Sequence, residues 1–131
     1  MGGLNISCGE FMADDKSGSA FERVVLDLVG VPNEMKHDIL SGFEEQEFVL
    51  IEPKCAAALI EPLESYRSQM VAEIGHSDWW AETQREEENG GDPVKLKWGE
   101  GRGWRLYCSV NLLAACRVSV QGGEPVAVCL G

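Results

Sequence analysis

The sequence predicts an α+β fold: a mixed sheet of about four strands, made from a hairpin plus a βαβ crossover at the C-terminus, with helices mainly on one face. Three observations carry this. Apolar residues recur every three or four positions at Phe21, Val24, Val25 and Leu28, and again from Cys55 to Ile74, the period of a helix with one buried stripe. They alternate singly through Val94, Leu96, Trp98 and then Trp104, Leu106, Cys108, the period of a half-buried strand. The run 126–130 is short, continuous and apolar, which suits an inner strand.

Taken in order, residues 1–17 are rich in Gly, Ser and Asp and read as a loose N-terminal lead-in, with at most a short strand near Leu4–Ile6. Ser19 and Glu22 have the spacing of a capping box, in which each side chain satisfies an orphan amide at a helix start. The first helix follows and stops at Gly30. Pro32 opens a second helix with Met35, Ile39 and Leu40 on its apolar side, ending at Gly42. Residues 47–52 form a buried strand before Pro53. The long stripe Cys55, Leu59, Leu63, Tyr66, Met70, Ile74 is a helix that Pro62 should kink or break near Glu61.

Ser77 can cap a further helix, with Asp78 favourable at its positive end. Residues 89–93, Asn-Gly-Gly-Asp-Pro, interrupt the chain and leave 77–93 as an acidic segment. The alternating runs then pair as a hairpin around Gly99–Gly103, with Lys95, Lys97 and Arg105 on one face and Arg102 on the turn. Ser109 caps a last helix carrying Leu112, Leu113, Cys116 and Val120, and the final strand lies parallel to residues 104–108.

The length, 131 residues, and an apolar share of 44% fit one domain with a real core, residues 1–131. Eleven basic residues against 22 acidic ones leave a net charge of −11. That argues against direct nucleic-acid binding, which needs cations to neutralise phosphate, and against docking on anionic lipid. No apolar run approaches membrane-spanning length. The beginning of the chain lacks the basic and apolar regions of a signal peptide and misses the myristoylation pattern at Ile6. Five cysteines without metal-ligand spacing, mostly in apolar runs, read as reduced buried thiols and place the protein in the cytoplasm. Oligomeric state is not readable from these features.

No catalytic, cofactor or metal motif stands out. His37-Asp38 and His76-Ser77-Asp78 are the only histidine neighbourhoods, and adjacency in sequence does not make a catalytic site. The glycines of 99–103 would join two strands, whereas a phosphate cradle runs from a strand into a helix N-terminus. The basic hairpin face has three readings: a solvated face, an internal salt contact with the acidic segment, or an anion site.

The acid is concentrated: residues 1–92 hold 20 acids and 6 bases. The most suggestive stretch is Asp78, Trp79, Trp80, Glu82, Glu86, Glu87 and Glu88, where paired indoles stand beside a run of carboxylates. Tryptophan anchors interfaces, and an acidic rim steers a basic partner. The expectation is a non-catalytic cytosolic binding protein that blocks a basic protein, as immunity proteins or nucleic-acid mimics do. A small enzyme with a pocket around His37 or His76, and a structural or assembly subunit, are the alternatives.

Overall fold

A computed structural model describes residues 3–131. The elements in order are β1 (Leu4–Cys8), β2 (Phe11–Asp15), α1 (Gly18–Asp27), α2 (Asn33–Gln46), β3 (Phe48–Ile51), α3 (Pro53–Ile74), α4 (Trp79–Glu88), α5 (Pro93–Lys97), α6 (Arg102–Gly122) and β4 (Val126–Leu130). The α+β architecture with a four-stranded sheet is as the sequence predicts. The strands run β2-β1-β4-β3, and every pair is antiparallel.

Three assignments change. The expected loose lead-in is the β1–β2 hairpin; Met1 and Gly2 lie outside the described residues. Cys8 pairs with Phe11 across a two-residue turn in which Gly9 takes a φ of +58°, a backbone state glycine adopts without strain.

Residues 94–97 and 104–108 are helical, with Trp98 capping the first of the two helices, and they make no hairpin. Five alternating residues also fit a turn of helix, and the local chemistry decides: the Asp92 carboxylate accepts the Val94 and Lys95 amides while Pro93 occupies the first turn. α6 is buried on almost every side, at Leu106, Cys108, Ser109, Asn111, Leu112, Leu113, Ala115 and Cys116, so it shows no single apolar stripe. Ser109 sits inside this helix, donating to the Leu106 carbonyl at 2.7 Å.

With residues 104–108 inside α6, the expected βαβ crossover from them to the final strand does not form. β4 does hold an inner position, but antiparallel to β1 and β3.

Smaller differences concern helix ends. The cap of α1 is Ser17, whose Oγ accepts the Ala20 amide at 3.2 Å, and not Ser19. α2 continues past Gly42 to Glu47, which turns left-handed at φ 56°. α3 runs through Pro62 without the expected break, because Leu59, Leu63, Tyr66 and Met70 on both sides of it are buried, chiefly against α6. β3 is an edge strand with Phe48 and Leu50 exposed and only Ile51 fully buried.

The helices gather on the sheet face formed by Leu4, Ile6, Cys8, Val126, Val128 and Ile51, with α6 lying over β1 and β2 and flanked by α1, α3 and α4. Each large apolar side chain fully buried there, such as Phe21, Leu59 or Leu112, stabilises the fold by about 1.5–3 kcal/mol. Among the described residues no helix is long and apolar enough to cross a membrane.

Candidate partner-binding surface

The acidic segment folds as α4, and helical geometry divides its residues into two sets. Trp79, Glu82, Thr83 and Glu86 fall at i, i+3, i+4, i+7 and turn toward α6, with Glu82 and Thr83 buried. Trp80, Gln84, Glu87 and Glu88 fall at i, i+4, i+7, i+8, and all four are exposed. Asp78, not Ser77, is the N-cap; its Oδ1 accepts the Ala81 amide at 3.0 Å.

The inner set faces α6 because α6 begins without side-chain bulk and with positive charge. A Cβ on Gly103 would stand 2.5 Å from the Trp79 carbonyl oxygen and 2.7 Å from the Thr83 nitrogen, so only glycine permits this approach. Glu82 is fully buried, held by Arg85 through two hydrogen bonds of 2.7 and 2.6 Å and by Arg102 at 3.0 Å. The Arg85 guanidinium, with Arg102 assisting, keeps its carboxyl below the usual value of 4.5. Glu86 accepts the amides of Arg102 and Gly103, each at 3.1 Å, and so fills the anion position at the N-terminus of α6.

The glycine loop therefore does enter a helix, and the chain's own carboxylate occupies the place an outside anion would take. Of the three readings of the basic residues, the internal salt contact forms, at Arg102.

The paired indoles are also divided. Trp79 is half-buried, its ring centroid 4.1 Å from Tyr107 and 4.9 Å from Trp104. Trp80 is 50% exposed and packs edge-on against Trp79 at 5.6 Å and Trp104 at 6.0 Å. Lys16 Nζ lies 5.4 Å over the Trp104 ring, a cation–π contact. Tyr107 donates to the Asp14 carbonyl at 3.0 Å, tying the cluster to β2. Beside it opens a groove of about 520 Å³ between Trp80, Trp104, Glu87, Leu96, Lys16 and Lys97. Val94 and Trp98 on and after α5 add exposed apolar surface nearby in sequence.

Of the residues singled out in the sequence, Glu82 and Glu86 are thus removed from any partner: burial and self-pairing consume them. Asp78, Trp80, Glu87 and Glu88 are exposed, and Trp79 supports Trp80 from behind. On a strand Trp104 and Tyr107 would fall on opposite faces; as helical residues they fall three apart, on one side of α6.

His37 and His76 are both exposed, and His76 Nδ1 accepts the Asp78 amide at 3.1 Å. The principal clefts are lined by neither histidine. Among the described residues no group of three or more His, Cys, Asp or Glu side chains is arranged to hold a metal ion. In comparisons with protein-family models, curated proteins and solved structures, nothing matches this chain.

Proposed function

We propose that the chain is a non-catalytic binding protein that engages and blocks a basic protein through Trp80, with Asp78, Glu87 and Glu88 as the acidic rim. The observation that carries this reading is a large indole half exposed to water while Trp79 and Trp104, themselves in contact, both pack against it edge-on. A side chain already held in place loses little entropy on binding, which is what makes a rigid aromatic a good anchor. Burying the exposed half of Trp80, roughly 100 Å², would contribute about 2–3 kcal/mol.

The outward carboxylates and the net charge of −11 favour a cationic partner and disfavour nucleic acid. Five free cysteines, three of them buried, suit a reducing compartment such as the cytoplasm.

The test is capture of partners from the native host, with identification by mass spectrometry. A basic protein should be retained and released as salt is raised. Trp80→Ala, and separately Glu87→Lys with Glu88→Lys, should each abolish capture while the far-UV circular dichroism stays unchanged. Glu86 is left in place because it caps α6. If both variants retain the same protein as the wild type, the surface is misassigned.

A further inference from the structure

Away from the Trp80 surface, the edge of the sheet carries a second set of groups that converge on one kind of ligand. Among the described residues β3 pairs with β4 alone, in a register that sets Phe48 opposite Cys129 and Ile51 opposite Val126. The Leu130 amide donates to the Glu47 carbonyl at 2.9 Å in that same register. Hydrogen bonding alternates along an antiparallel pair, so residues 47, 49 and 51 turn their backbone groups toward β4 and residues 48 and 50 turn theirs outward. Among the described residues no hydrogen bond occupies those outward groups of Phe48 and Leu50. A strand edge in this state is a template for another strand.

Beside this edge lies a cleft of about 390 Å³ between α2, β3 and the start of α3. Its apolar lining includes Met35, Ile39, Ile51 and Cys55, and its charged residues are Glu34, Asp38 and Glu52 with no base among them. None of the three carboxylates has an ion-pair or side-chain hydrogen-bond partner among the described residues. The one lysine of α2, Lys36, donates to the carbonyls of Leu26 and Leu28.

We propose that β3 is a docking edge for an extended peptide segment that alternates aliphatic and basic residues, adding as a fifth strand beside β3. Its backbone would pair with the outward groups of Phe48 and Leu50. Because strand side chains alternate between faces, its basic side chains would enter the cleft, with their aliphatic stems along Met35 and Cys55 and their cations at Glu34, Asp38 and Glu52. Its aliphatic side chains would lie beside the exposed Phe48 and Leu50 on the other face. This is strand addition, in which main-chain bonds supply affinity and pockets supply selectivity. A second copy of this chain is disfavoured as the occupant, because edge-to-edge pairing would bring two such carboxylate sets together on molecules of net charge −11.

The probe is a fluorescein-labelled six-residue peptide of alternating Val and Lys, with the Val–Glu peptide as charge control, read by fluorescence anisotropy. The Val–Lys peptide should bind at least tenfold more tightly. Its binding should slow exchange of the Phe48 and Leu50 amide protons, followed by NMR. Leu50→Pro removes an outward donor at a position where an edge strand tolerates proline, and should weaken binding about tenfold. Asp38→Lys, exposed and free of internal partners, should weaken it several-fold at low salt.

The Glu87→Lys, Glu88→Lys variant must bind the peptide as the wild type does; loss there would mean that the peptide sits on the other surface, and this proposal falls while the former stands. Equal binding of the two peptides, or unchanged exchange at Phe48 and Leu50 on peptide binding, overturns it. So does a dimer that protects those same two amides.

Discussion

Replacing Gly103 by alanine tests how the candidate surface is positioned. The added Cβ would collide with Thr83 Oγ1 and would meet the Trp79 carbonyl oxygen at 2.5 Å and the Thr83 nitrogen at 2.7 Å. The threonine hydroxyl can rotate away, at the loss of its 2.9 Å hydrogen bond to Trp79. The other two atoms are backbone, so α4 itself must retreat from α6 by about 1 Å to reach ordinary contact distance. That withdraws Glu82 from Arg102, and Glu86 from the α6 amides. Overpacking alone costs about 1–3 kcal/mol, and with the strained polar partners the expected loss is about 3 kcal/mol, roughly 10 °C in Tm for a chain of this size. The control is on the same helix: a Cβ on Gly122 meets nothing within 4 Å, so Gly122→Ala should stabilise by about 0.5–1 kcal/mol. Urea unfolding followed by circular dichroism and tryptophan fluorescence measures both. A Gly103→Ala protein within about 0.5 kcal/mol of wild type would refute the close-crossing argument.

Two carboxylates should give pH dependences of opposite sign. Burial pushes the Asp15 carboxyl above 3.8 despite hydrogen bonds from the Lys16 amide and Asn111; its stabilising share is present in acid and lost as pH rises through the raised value. Asp15→Asn should therefore match wild type in acid and be no less stable at pH 7. Glu82, held below 4.5 by Arg85, contributes stability above 4.5 that is lost as pH falls through the lowered value. Glu82→Gln should be weaker at pH 7 by about 1–2 kcal/mol, given that both arginines keep contact with water, and the gap should close in acid. Urea midpoints from pH 3 to 8 that run parallel for the two variants would contradict this.

Alkylation with iodoacetamide should modify the half-buried Cys55 and Cys129 first. Cys8, Cys108 and Cys116 are buried, with their thiols raised by desolvation, Cys116 to about 12. All three should react only after unfolding, and mass spectrometry counts the additions.

The sequence was legible where one face of an element is buried and the other wet. Phe21, Val24, Val25 and Leu28, and the stripe Leu59, Leu63, Tyr66, Met70, are all buried as their spacing implies. The pattern misleads where that contrast fails. α6 is enclosed on nearly all sides, so the alternation through Trp104, Leu106 and Cys108 imitated a strand. The β1–β2 hairpin carried a usable signal: Leu4, Ile6 and Cys8 alternate with Asn5 and Ser7 before Gly9, a two-period run ending in a turn glycine. The α4 residues stand out as a group in the sequence, but a run of acids does not say which side a helix will bury.

By itself, the sequence determined the acidity, the chain's share of helix-forming stripes, the free cysteines and the inner apolar strand at 126–130, because composition and local period depend on no distant contact. Tertiary structure alone decided the direction of the strands and the fate of each glutamate. Gly103 lets α4 lie close against α6, and at that distance the electrostatic pull of Arg102 and the α6 amides draws Glu82 and Glu86 inward. Trp80, Glu87 and Glu88 are left facing water.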